Sequence, residues 1–185
     1  SPIAGGGRAF ATLAALMLVL ALAAPSARAD GADDLAAAET ALGARNFDEV
    51  LTLADRALAG GGLTGTALSR AHFFRARALR AGGQPEAAVD AFLAALRLSP
   101  RNVEAYSGLG RALDDQGRYA EAEQAHHRAV WLRPDLPDPY TARGDSYVLA
   151  GKFGRAVADY TRALGLAPGD AAARSGLERA KRGAQ

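Results

Sequence analysis

Few residues in this chain could do chemistry, and they are widely spaced. There are three histidines, His72, His126 and His127. Two histidines that grip zinc from a helix stand at i and i+4, on one face. His126 and His127 are adjacent, so their side chains diverge by about 100°. No carboxylate–histidine cluster joins them, and no metal site is expected. The absence of Cys excludes thiol nucleophiles and thiolate ligands. No serine has a plausible histidine and carboxylate partner, and no Gly-rich phosphate loop follows a strand. The paired Asp114 and Asp115 read as a solvated helix end. No catalytic residue and no cofactor is assigned, and the chain is read as a non-enzyme. What remains is charge. Arg77 and Arg111 stand 34 positions apart, and two guanidiniums at equivalent sites of adjacent helices can hold one anionic group between them.

That interval belongs to the whole chain. Pro100, Pro134 and Pro168 close three similar stretches, LAALRLSP, HRAVWLRP and TRALGLAP. Setting each proline at position 32 defines three units, residues 69–102, 103–136 and 137–170. Position 8 holds Ala76, Gly110 and Gly144; position 20 holds Ala88, Ala122 and Ala156; position 27 holds Ala95, Ala129 and Ala163. Small residues there let two helices approach, and larger ones at positions 4, 11, 17 and 24 fill the space between them. Gly83, Gly117 and Gly151 at position 15 permit the left-handed residue that ends a first helix. The prolines stop a second helix. Alanine and leucine dominate over β-branched residues, which favours helix throughout.

The best unit is VEAYSGLGRALDDQGRYAEAEQAHHRAVWLRPDL. Its Tyr106, Leu109, Gly110, Leu113, Gly117, Tyr119, Ala122, Ala129 and Pro134 carry a resemblance to the tetratricopeptide repeat family. The resemblance implies an all-α fold, a right-handed superhelical solenoid of antiparallel helix pairs. About four repeats and a cap are expected over residues 30–182. They are a degenerate unit at 32–62, the three units above and a capping helix at 170–182, with 183–185 as a tail. ARNFDEVLTLADRAL supplies the turn and second helix of the degenerate unit, after a first helix near 32–44. It ends in AGGGLTG, and the register slips by four residues before Ser69. Leu177 of the cap is expected on the last repeat. Tyr106, Tyr119, Tyr140 and Phe153 are expected in the core.

In this family first helices line a concave groove through positions 2, 5, 9, 12 and 13. The residues there are Arg70, Phe73, Arg77, Arg80 and Ala81; Glu104, Ser107, Arg111, Asp114 and Asp115; then Asp138, Thr141, Asp145, Val148 and Leu149. Ser175, Arg179 and Arg182 of the cap extend the set. The groove should begin basic, become mixed and turn acidic along the solenoid, which suits a peptide with its own charge pattern. Family members that clamp a C-terminal carboxylate use Lys and Asn at positions 5 and 9. The Asn is absent here. Arg75 and Arg143 replace the usual Leu at position 7 and call for partners: Asp159 for Arg143, Asp90 for Arg75. Trp131 either folds over the DLPDP loop to cover Leu136 or stands out as an aromatic anchor on the convex side.

The first residues concern location. An apolar run from Ala9 to Ala24 follows Arg8 and precedes Ala27-Arg28-Ala29. It is shorter than a comfortable membrane span and reads as an export signal over residues 1–29, cut between Ala29 and Asp30. The alternative is an uncleaved anchor. Residues 1–29 hold two arginines and no acid, which leaves 20 of the 22 Lys+Arg against 20 Asp+Glu. A neutral mature chain has no bulk attraction for nucleic acid or anionic membrane, and no insertion of the mature chain into a membrane is expected. The reading is a periplasmic or secreted scaffold that binds a protein or peptide partner through its groove, helping to assemble an envelope complex. The alternative is a self-associating structural scaffold with an empty groove.

Overall fold

The computed structural model describes residues 27–185, with side chains from residue 31 onward. The apolar run read as an export signal lies outside the described residues. Nine helices and no strand are found among the described residues: α1 Ala27–Gly43, α2 Phe47–Ala59, α3 Gly65–Ala81, α4 Pro85–Leu98, α5 Val103–Asp115, α6 Tyr119–Leu132, α7 Pro137–Leu149, α8 Phe153–Leu166 and α9 Ala171–Gly183. The cleavage pair Ala29–Asp30 falls at the start of α1. Each helix packs on the next in sequence. The first helices α1, α3, α5, α7 and α9 also touch along the stack, whereas the second helices do not touch one another. Close first helices and splayed second helices curve the stack, with first helices on its concave side.

Local chemistry starts and stops these helices. Position 34 of one unit caps the next first helix. Asn102 accepts from the Ala105 N–H at 2.9 Å, and Asp170 accepts from Ala172 and Ala173 at 2.9 and 3.1 Å. Leu136 cannot do this, and Pro137 at the first helical position removes a donor instead. Gly83, Gly117 and Gly151 end α3, α5 and α7 with φ of 74°, 71° and 68°. The four-residue slip before Ser69 is one added helical turn: α3 has 17 residues where α5 and α7 have 13.

The core is built from small residues around one large wedge per repeat. The alanines at positions 20 and 27 are fully buried in all three units. Position 24 holds Phe92, His126 and Tyr160, each 0% exposed. A Cβ on Gly110 would lie 2.5 Å from the His126 ring, and one on Gly144 would lie 2.9 Å from Tyr160. The wedge also meets the following first helix. A Cβ on Gly108 would stand 2.4 Å from Phe92, and one on Gly176 of the cap 2.4 Å from Tyr160. Leu177 packs on the last repeat as expected. Tyr119, the first residue of α6, is a correction: it is 36% exposed rather than core. Tyr106, Tyr140 and Phe153 are half-buried.

Polar contacts tie the second and third full repeats together. Glu123 receives Lys152 at 2.5 Å, Arg155 at 2.8 Å and the Tyr147 hydroxyl at 3.1 Å. The hydrogen bond from Lys152 above all holds the Glu123 carboxyl at a pKa of about 2. A carboxylate held below its unfolded value contributes stability that is complete above that value and lost as pH falls through the folded one.

Two outcomes follow for stability. Gly110→Ala is expected to cost about 1–3 kcal/mol by overpacking, whereas Gly165→Ala, which meets nothing within 4 Å, is expected to add about 0.5–1 kcal/mol; urea unfolding of both variants checks the pair. Acidification from about pH 4.5 to about 2 is expected to lower the melting temperature, and Glu123→Gln to flatten that part of the profile. An unchanged slope in the variant would show that the Glu123 cluster contributes nothing.

Candidate functional site

A groove of about 650 Å³ opens on the concave side, from the turn before α2 to the first turn of α7. Its floor is apolar. Phe73 and Phe92 meet edge to face at 6.1 Å, and Phe47, Val103, Leu136 and Pro139 join them. Polar groups stand above this floor. Arg77 and Arg111 project from the same position of α3 and α5, and Arg45 enters from the turn between α1 and α2. Glu104, Ser107 and Asp138 complete the wall. Burial lowers the Arg77 pKa first of all; Glu104 opposes the shift, and the nearby charges of Arg111 and Arg45 add to it. The Arg77 guanidinium lies 5.8 Å from the Phe73 ring centroid.

The lining arginines divide into two groups. Arg80 is bound to Asp115 at 2.7 Å, and Arg133 to Asp135 at 2.8 Å. Arg45, Arg77 and Arg111 have no carboxylate within salt-bridge distance among the described residues, and neither Glu104 nor Asp138 has a cation there. Glu104 and Arg111 share a face of α5, two turns apart, which is about 10 Å. Uncommitted acids therefore sit at the start of the first helices, and uncommitted arginines toward the ends.

The structure brings together eight of the residues expected in the groove: Phe73, Arg77, Arg80, Ala81, Glu104, Ser107, Arg111 and Asp138. Asp115, Val148 and Leu149 do not line it, and four more are committed elsewhere. Arg70 lies outside the groove, paired with Glu39 and set over the Phe74 ring. Asp114 is buried; it accepts from Ser146 Oγ at 2.8 Å and faces His126 Nε2 at 3.2 Å. Position 12 faces the next first helix, so a short Asp stays in that interface while the longer Arg80 reaches the rim. Thr141 is buried, with its hydroxyl near Pro137 and Asp170. Asp145 is taken by the Tyr160 hydroxyl at 2.6 Å and Arg179 of the cap at 3.2 Å. Arg179 of the cap thus keeps Asp145 out of the groove. The expected gradient from basic to acidic along the solenoid gives way to a polarity across the groove.

Other expectations divide similarly. Arg143 holds Asp159 through two bonds of 2.7 and 2.8 Å, as expected. Arg75 pairs with Asp55 of the preceding second helix at 2.6 Å, not with Asp90. Asp90 is exposed, because one residue of offset from position 23 turns a helical side chain by about 100°. Trp131 does not cover Leu136: it is 66% exposed with Arg128 stacked 4.3 Å from its ring, while Leu136 lines the groove. His126 is a core residue whose Nδ1 has no partner, and His127 lies on the surface beside Glu123. Among the described residues no three His, Cys, Asp or Glu side chains gather as metal ligands, and no helix is long and apolar enough to cross a membrane.

The main residue missed from sequence is Arg45. With Phe47 at position 17 of the degenerate unit, Arg45 falls at position 15, where every full unit has Gly. It has φ of 58°, the one positive value at a non-glycine residue among those described. Counting back from Phe47 would have exposed it. Arg133 and Leu136 were missed because they belong to the loop between repeats.

Known proteins share the fold. The first TPR of Spaghetti (RPAP3) bound to HSP90 peptide SRMEEVD is similar at a TM-score of 0.61 and 21% identity, over 64% of this chain and 97% of that one. YrrB, a TPR protein with an unusual peptide-binding site, is similar at 0.65 and 18%, over 77% and 71%. MamA protein is similar at 0.66 and 19%, over 84% and 82%. At these identities the likeness is one of fold. Among curated proteins, Superkiller protein 3 of Schizosaccharomyces pombe is 48% identical over 48 residues, which is 26% of this chain and only 4% of that protein's length. The tetratricopeptide repeat pattern itself matches residues 35–100, 75–137 and 141–177, most of the described chain, and so the chain belongs to the tetratricopeptide repeat family.

Proposed function

We propose that the chain is a protein-interaction module whose groove binds an extended segment of a partner, with an anionic group against Arg77 and Arg111. One observation carries the reading: these arginines line an apolar-floored groove without a carboxylate partner among the described residues, whereas Arg80 and Arg133 beside them are paired. Charges left over in a groove are matched by a ligand's charges. Glu104 and Asp138 then receive a cationic residue. About 10 Å is the span of three residues in an extended peptide, so an acid and a base three positions apart fit both rims. Similar folds include one described as bound to a peptide and one described as having a peptide-binding site.

Export belongs to the same proposal. The run Ala9–Ala24 and the small residues at Ala27 and Ala29 support work in the periplasm or outside the cell, on an envelope complex. Self-association is a second reading, and the bare Trp131 on the convex side favours it.

Arg77→Glu with Arg111→Glu is expected to abolish capture of an acidic peptide carrying a base three residues on, with helicity and melting unchanged. Retained capture would remove the groove reading. If self-association is the function, those changes leave the assembly alone and Trp131→Ala lowers the mass measured by light scattering. For export, mass spectrometry of the chain recovered from cells is expected to place its N-terminus at Asp30; an intact leader on all of it would overturn that part.

A further inference from the structure

We infer that Arg45 is a ligand-binding residue that selects a group with two negative charges, a phosphomonoester or two adjacent carboxylates, over a single carboxylate. The inference rests on the groove reading above and deepens it.

The backbone supplies the first argument. Three turns in this chain solve the same problem, ending a first helix with one left-handed residue, and all three use Gly. The fourth uses Arg45 at φ 58°. A side chain makes that conformation unfavourable, and residues held there without a fold-level reason gather at functional sites. The turn itself does not need arginine. Its bonds run through the backbone, from the Arg45 N–H to the Leu42 carbonyl and from the Asn46 N–H to the Ala41 carbonyl. The Arg45 side chain is exposed and makes no hydrogen bond or ion pair among the described residues.

Placement supplies the second argument. Arg45, Arg77 and Arg111 come from three successive helix pairs and line one groove. Arg45 is close enough to Arg77 for its charge to act there. Three like charges held together repel one another and favour a bound anion. Glu104 and Asp138 stand toward the opposite rim, where they meet the peptide's base, so the arginine end stays cationic. A single carboxylate brings one charge and two oxygens to three guanidiniums; a dianionic group brings a second charge and more acceptor oxygens.

The test uses the full chain and fluorescein-labelled heptapeptides that differ at one site: serine, glutamate, paired glutamates, phosphoserine or lysine. Anisotropy is expected to show the wild type binding at least one dianionic peptide about tenfold tighter than the single-glutamate peptide, as charge-assisted bonds to one more guanidinium require. The peptide that shows the gap identifies the source of the dianion. Arg45→Gly is expected to close the gap, weakening the dianionic peptides more than the single-glutamate peptide, and to melt no lower than the wild type, since relieved strain and added chain freedom oppose each other. Arg45→Lys is expected to keep part of the gap. A gap that persists in Arg45→Gly, no gap in the wild type for either dianion, or a melting temperature several degrees lower in Arg45→Gly would overturn the inference while the groove reading stands. A wild type that binds none of the peptides, or binding that survives Arg77→Glu with Arg111→Glu, would overturn the groove reading and this inference with it.

Discussion

The fold depends on how closely a large ring at position 24 can be pressed between two first helices. Phe92, His126 and Tyr160 have no exposed surface, and each presses on a glycine that leaves room for no methyl group. That contact sets the distance between successive first helices. The second helices, lacking any such shared wedge, stay apart. Curvature follows from this asymmetry, and a concave face follows from curvature. The groove is therefore a consequence of core packing, and its width is not free to drift while the wedges hold.

His126 shows what the wedge site tolerates. A polar ring occupies a place that phenylalanine and tyrosine fill in the neighbouring repeats. Its Nε2 faces Asp114, which in turn holds Ser146 of the next repeat. Burial of one polar group has drawn in two others from adjacent helices, as buried polarity requires. Tyr160 makes a related arrangement in the last repeat, where its hydroxyl reaches Asp145 and through it Arg179 of the cap. Both networks use carboxylates at positions that would otherwise face the groove. Structural demand thus takes Asp145 of the third repeat away from the groove and leaves Asp138 as that repeat's free charge there.

Charge pairing sorts the remaining residues between architecture and recognition. Arg80, Arg133 and Arg143 have carboxylates of their own, at distances of 2.7–2.8 Å. Arg45, Arg77 and Arg111 share an apolar floor and have none among the described residues. The exposed pairs Arg80–Asp115 and Arg133–Asp135 contribute little to stability, whereas Arg143–Asp159 is nearly buried. All three remove their members from competition for a ligand. The groove is left with one cluster of available cations and two available acids, about two helical turns across.

Periodicity was the most legible property of the sequence. Ala88, Ala122 and Ala156 had to be small, Gly83, Gly117 and Gly151 had to be left-handed, and Pro100, Pro134 and Pro168 had to follow helix ends. Each demand is local or repeats at one interval, so residue type alone carries it. Arg143 with Asp159 was legible for the same reason, since both belong to one helix pair. Contacts between repeats were not. Arg75 with Asp55, Asp114 with Ser146 and Asp145 with Arg179 depend on side-chain length and on which neighbour a curved stack brings near. The groove residues shared this limit, because a position number says which face a side chain occupies but not whether another chain segment already covers it. Local residue demands set the helices, their pairing and the register of the repeats; packing in three dimensions selected which charges were already neutralised, and so which remained for a partner.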